Sequence, residues 1–324
     1  MPPLAALPLR PLGPTGLSVP PLCVGCAEIG DMTETFNYSV PEDRALATIR
    51  AVFSSPLTFL DTAASYGDGE SERRIGLVLR ELGGLPAGYV LSTKADRDLR
   101  TGDFSGAQFR RSVERSLRLL GLERLQIVFV HDPEHTTFEA AMASGGPVEV
   151  LQDFKKAGVI EHLGVAGGPI DLLMRFVDTG LFEAVITHNR YTLLNQSAAP
   201  LIDMAYQRGI GVLNAAPYGS GLLAKGPRAY PRYAYSDAPE DLIRRAQAIA
   251  DICQEFEVPL AAAALQFSLR DSRITSTIVG MSRPERLEQT LQLASVHIPT
   301  ELWSRLEEHV GPPLDPEAVR WRRE

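Results

Sequence analysis

At 324 residues, 44% of them hydrophobic, and a mean hydropathy of −0.04, the chain is long enough to bury a large core without disulfide staples. A formal net charge of −8 and a pI near 5.4 argue against nucleic acid or an anionic membrane surface as a partner. No apolar run approaches the ~20 residues of a membrane span. The N-terminus, with Pro2, Pro3, Pro8 and Pro11, lacks a basic segment followed by an apolar one, so a cytoplasmic protein is expected.

In chain order, residues 7–19 carry Gly13-Pro14 and Gly16 between short apolar pieces and predict a small hairpin. Residues 22–24 read as a buried strand running into a loop. Cys23 and Cys26 form a CxxC there, but a four-thiolate site needs a second pair and Cys253 stands alone, so they read as small apolar residues. Further apolar runs follow at 58–60, 89–92, 126–130, 160–165, 184–187, 211–214 and 276–279. Each is short, and few alternate cleanly, as in parallel strands covered on both faces. Amphipathic helical patterns separate them at 41–53, 71–82, 109–120, 170–176, 198–207, 240–256 and 284–293. Gly83-Gly84 and Gly121 supply helix stops.

Strand–helix alternation repeated about eight times predicts an α/β (β/α)8 TIM barrel, one domain over residues 1–324. The rival, a doubly wound sheet, would carry GxGxxG after an early strand, and none occurs. Residues 218–239 are rich in glycine, proline and tyrosine with little periodicity, and an irregular stretch of that length is usually functional.

Asp61, Lys94 and His131 each end a predicted strand, and Tyr66 follows Asp61 by five residues. Strand C-termini of a barrel converge on one face, where active sites lie. Alone, each has an ordinary structural explanation; together they point to hydride chemistry, which needs a proton donor or acceptor at the reacting oxygen. A tyrosine titrates near ~10, and a neighbouring ammonium is expected to lower that value. Asp61 would orient Lys94, and His131 would hydrogen-bond the reacting oxygen.

The ordered motifs Leu60-Asp61-Thr62-Ala63-x-x-Tyr66-Gly67-x-Gly69-x-Ser71-Glu72, Ser92-Thr93-Lys94 and His131-Asp132 resemble those of the aldo-keto reductases. The likeness runs over nearly the whole chain and is nearest the aldose (fucose-type) and pyridoxal dehydrogenases. Further matches are Gly164-Val165-Ala166-Gly167-Gly168, Asn189-Arg190-Tyr191-Thr192-Leu193-Leu194 and Asn214-Ala215-Ala216-Pro217. The resemblance implies a nicotinamide cofactor, NADP with NAD as the other possibility, and a small sugar or aldehyde substrate.

It also implies cofactor contacts from His188, Asn189, Ala215, Pro217, Gly219, Gly280, Ser282, Arg283, Arg286 and Thr290. Many members carry Ser-Asn where Ala166-Gly167 stand, glutamine at His188, a stacking tyrosine at Ala215 and asparagine at Thr290. Arg283 and Arg286, beside a predicted helix start, suit a ribose phosphate. The substrate pocket is expected from loops 28–40 and 135–147, with Phe36, Tyr38 and Phe138 as candidates.

Two other functions weigh against this one. A metal-dependent barrel hydrolase could use His131-Asp132-Pro133-Glu134-His135, although Pro133 disfavours a helical pair and no metal is expected. A regulatory barrel could bind cofactor without turnover, against which the full set of four argues.

Overall fold

The computed structural model describes residues 7–309 and Glu317; Pro2 and Pro3, part of the leader argument, lie outside the described residues. Within them, eight short strands close into a parallel barrel. They are β1 (Leu22–Gly25), β2 (Phe59–Asp61), β3 (Val90–Ala95), β4 (Leu125–His131), β5 (Ile160–Gly167), β6 (Ala184–His188), β7 (Gly211–Ala215) and β8 (Ser276–Gly280). β1, β2 and β3 are buried along their whole length, which explains the continuous apolar runs.

Outside the barrel lie α1 (Glu42–Val52), α2 (Glu70–Leu82), α3 (Gly106–Leu120), α4 (Pro147–Lys156), α5 (Ile170–Asp178), α6 (Ala199–Gln207), α7 (Leu260–Leu269) and α8 (Glu285–Ser295). Among the described residues, Glu240–Glu255 and Thr300–Glu307 are further helices, and Thr33–Phe36, Phe138–Met142 and Leu222–Lys225 are short ones. Among the described residues, no helix is long and apolar enough to cross a membrane.

The barrel interior is filled by Cys23, Phe59, Ile127, Phe129, Ile186, Leu213 and Ile278. The expected hairpin, Arg10–Pro11 paired with Ser18–Val19, contributes Leu12 and Val19 to the same cluster. Arg10 donates to the carbonyl of Ile274, just before β8, so the hairpin plugs the end where the strands begin. The opposite rim carries the strand-end residues. In register there, Gly25 pairs with Asp61, His131 with Ala166, and His188 with Ala215.

Two helices escape the periodicity argument. α7 buries Ala262, Ala263, Ala264, Leu265 and Ser268, so it presents no polar face for a 3.6-residue pattern to reveal. α4 starts at Pro147, a residue that suits the first helical position, where the sequence had suggested the end of a loop.

Glu72 ties α2 to the barrel. It is fully buried and accepts a 2.6 Å hydrogen bond from Thr93 on β3. Burial lifts its carboxyl to about 7, against hydrogen bonds from Thr93 and Ser116. Between its ordinary value of 4.5 and about 7, the folded chain keeps a proton that the unfolded chain has lost. Stability from this group is therefore full at acid pH and falls as pH rises through that interval. Glu72→Gln keeps the shape without the titration. Relative to this variant, the wild type should lose up to about 3 kcal/mol across the interval, read from unfolding midpoints at several pH values. Parallel pH curves for the two proteins would contradict it.

Candidate active site

The four strand-end residues meet at the rim. Lys94 Nζ donates to Asp61 Oδ2 at 2.6 Å, to the carbonyl of Thr62 at 2.7 Å and to Tyr66 Oη at 3.2 Å. Ser92 donates to the other oxygen of Asp61 at 2.7 Å. Asp61 and Lys94 are each 2% exposed, and Tyr66 is partly buried. Because Lys94 fills a lone pair of Oη, the phenolic proton is left to point elsewhere. The His131 ring stands edge-on to Tyr66, with centroids 5.9 Å apart.

Tyr66 owes its place to a tight turn. Gly67 follows it with φ +61°, and a Cβ there would lie 1.9 Å from the carbonyl oxygen of Gly30. Only glycine lets the two loops touch.

The electrostatics correct one expectation. Burial pushes the Tyr66 phenol above its ordinary value; Lys94 pulls it down, but burial and Asp61 together prevail. This balance favours the neutral phenol over the phenolate. Burial also works against the Lys94 ammonium, yet Asp61 and Tyr66 raise its pKa above the ordinary lysine value.

Asp96, just past β3, is a neighbour the sequence reading missed. Its Oδ1 lies 2.6 Å from His131 Nδ1, and its Oδ2 accepts from the Ser65 backbone N–H at 2.9 Å. His131 Nε2 lies 3.6 Å from Asp132 Oδ1. Asp132 and Glu134 turn toward His188, all three offering ligand-type atoms within 4.8 Å of one another. Pro133–His135 forms only a single 3-10 turn, so His131 and His135 do not form an α-helical i,i+4 pair. Burial and then the Asp132 charge lift Glu134 to about 8, while burial lowers His188.

The residues expected at the cofactor spread along the β6, β7 and β8 rims. His188 and Ala215 end β6 and β7 side by side. Asn189 is fully buried with φ +56°, and its Oδ1 accepts from Ser220 at 3.0 Å. Pro217 is buried, and Gly219 lies against the Tyr233 ring. Gly280 ends β8 beside the Glu28 carboxylate, which burial raises to about 7 against the pull of Arg286.

Ser282 hydrogen-bonds Tyr38. Arg283 is exposed with Glu285 3.9 Å away, whereas Arg286 acts on Tyr38, Tyr218 and Lys225. Thr290 is buried with its hydroxyl on the Met281 sulfur at 3.9 Å. Burial and then the Arg286 charge hold the Lys225 ammonium below its ordinary value, so two cations share a region where an anion would relieve both. Lys225 had no sequence signal beyond its place in the irregular stretch.

A nicotinamide dinucleotide suits this rim on structural grounds. Among the described residues, Glu134 Oε2 and Tyr218 Oη are buried without partners, and the absence of a side chain at Gly167 lets the Glu134 carboxylate lie against the β5 end.

The stretch 218–239 resolves into Leu222–Lys225, a short helix, and a hairpin of Arg232–Tyr233 with Ser236–Asp237. Tyr235 at its tip meets Phe36, itself 6.0 Å from Tyr38. Phe138 departs from expectation: it packs on Phe176 of α5 at 4.8 Å, under the Arg175 guanidinium, in the helical layer. Cys23 and Cys26 are buried free thiols whose pKa values burial raises, as apolar packing requires.

The aldo/keto reductase family model matches residues 21–310. A D-threo-aldose 1-dehydrogenase of a Pseudomonas species is 33% identical over 90% of this chain and 94% of its own. Pyridoxal 4-dehydrogenase of Microbacterium luteolum is 30% identical over 92% and 96%. An aldo-keto reductase of Bacillus halodurans in its holo form superposes with a TM-score of 0.76 at 17% identity, covering 96% of this chain and 99% of that one. This last likeness is one of fold.

Proposed function

The chain belongs to the aldo/keto reductase family and is an NAD(P)-dependent oxidoreductase; we propose that it oxidises an aldose at C1 to the lactone, with NADP as its preferred cofactor. The observation that carries this reading is Lys94 Nζ held between Asp61 and the Tyr66 hydroxyl, with His131 beside the same ring. Likeness to the D-threo-aldose 1-dehydrogenase supports the sugar.

When bound, the nicotinamide takes up or gives the hydride. In oxidation, Tyr66 accepts the C1 hydroxyl proton as the C1 hydrogen leaves; in reduction, Tyr66 returns the proton to the carbonyl oxygen. Lys94 steadies the phenol oxygen when it is charged, Asp61 fixes Lys94, and His131 hydrogen-bonds the substrate oxygen. With its pKa raised, Tyr66 gives a proton readily and takes one only as pH rises, so sugar oxidation should quicken toward alkaline pH.

The test is turnover of aldoses and aldehydes with both cofactors in both directions, with and without chelator. Sugar oxidation that ignores the chelator supports the proposal. Activity confined to aldehyde reduction at every pH would refute the sugar assignment.

Arg283 and Arg286 underlie the cofactor preference. Loss of a charged hydrogen bond to phosphate costs about 1.5–3 kcal/mol, or roughly ten- to a hundredfold in affinity. Arg283→Ala/Arg286→Ala should therefore raise the Kd for NADPH by at least that factor and the Kd for NADH far less, with Arg286 carrying more of the effect. Equal weakening of both cofactors, read by fluorescence titration, would remove the phosphate contact.

A further inference from the structure

Asp96 is 2% exposed and fixed on every side. Its backbone N–H donates to Ser112 Oγ at 3.0 Å, and its carbonyl accepts from Gln108 Nε2 at 3.2 Å, both from α3. The Ser65 backbone N–H occupies Oδ2, which leaves Oδ1 for His131 Nδ1 at 2.6 Å. A carboxylate only accepts, so Nδ1 carries the proton of that bond.

We infer that Asp96 is a positioning residue that keeps a proton on His131 Nδ1, so that Nε2 can donate to a reacting oxygen only while the ring is the imidazolium. The inference rests on the proposed role of His131 at that oxygen.

The charged groups around the ring favour this state. Lys94 and Asp96 face it from the β3 rim, and Asp132, Glu134 and His135 from the segment after β4. His188 faces it from the end of β6, and Tyr66 from the loop after β2. Burial opposes the charge on His131, but Asp132 and Asp96 outweigh it and hold the pKa above the ordinary histidine value. Past that pH the neutral ring keeps Nδ1–H toward Asp96 and offers a bare Nε2 lone pair. A carbonyl oxygen then meets a lone pair instead of a donor, and reduction loses its second hydrogen bond.

Asp96→Asn tests this with the shape preserved. The Ser65 N–H still requires an acceptor, so the amide oxygen stays there and the NH2 group turns to His131 Nδ1. With that NH2 group donating to Nδ1, and the Ser65 hydroxyl 3.3 Å from Nδ1 also able to donate there, the neutral ring then carries its proton on Nε2. NMR of the histidine ring nitrogens, with His131→Gln to assign the signals, should show Nδ1 protonated in the neutral wild-type ring and Nε2 protonated in the variant.

Wild-type kcat/KM for reduction should fall about tenfold per pH unit above the His131 pKa, and the variant should stay level within about twofold over the same interval. The same alkaline fall in both proteins would overturn the inference. So would an unprotonated Nδ1 in the neutral wild-type ring, a result that decides the matter even if the variant fails to fold. Full reduction activity in His131→Gln would instead remove the proposed role of His131, and the ring-nitrogen spectra distinguish that failure from this one.

Discussion

Tyr66→Phe is expected to fold, to bind cofactor and to lose about 10²–10⁴ in kcat, the usual cost of removing a general acid–base group. The phenol ring sits in a turn shaped by Gly67, and its hydroxyl hydrogen-bonds Lys94, so deleting one oxygen disturbs little packing. What disappears is a contact made to the reacting oxygen. The loss should therefore fall on kcat, with cofactor Kd changed less than about twofold. Stopped-flow turnover and a fluorescence titration read the two quantities separately. Near-normal kcat in a folded variant would take Tyr66 out of the chemistry, and a large drop in thermal stability would make its role structural.

Lys94→Met should damage stability and rate together. It strands Asp61 in the protein interior with Ser92 as a remaining donor. Removing one partner of a buried ion pair costs about 3–5 kcal/mol, since the other charge stays buried. For a domain of this size that is roughly 10 °C in the unfolding midpoint. The double variant Asp61→Asn/Lys94→Met removes both charges and should recover most of the stability. It should recover none of the rate, because the phenol still lacks its ammonium. Restored activity in the double variant would show that Lys94 serves the fold alone.

The barrel was legible because each strand is covered on both faces, which writes it as an unbroken apolar run. Asp61, Lys94 and His131 stood out as single polar residues closing such runs. Asp96 gave no such signal: it follows β3 in Ala95-Asp96-Arg97-Asp98, where the polar residues look alike. Only closure of the rim, which brings β3 against β4, selects it to meet His131.

The sign of the Tyr66 shift was hidden for a related reason. The spacing of Tyr66 and Lys94 suggests their contact, but the burial that outweighs it belongs to the assembled rim. Long-range partners were hidden too. Fully buried Arg190 meets Glu317 at 2.9 Å across 127 residues of chain, and neither residue carries a local mark of the other.

Transfer of label settles the hydride chemistry itself. Wild-type protein would be given an aldose deuterated at C1 together with oxidised cofactor, and the reduced cofactor analysed by mass spectrometry and NMR. One deuterium at C4 of the nicotinamide for each lactone formed, with the transfer all but lost in Tyr66→Phe, is the expected result. Lactone formed without label in the cofactor, or no sugar oxidised under conditions where cofactor binds, would contradict it.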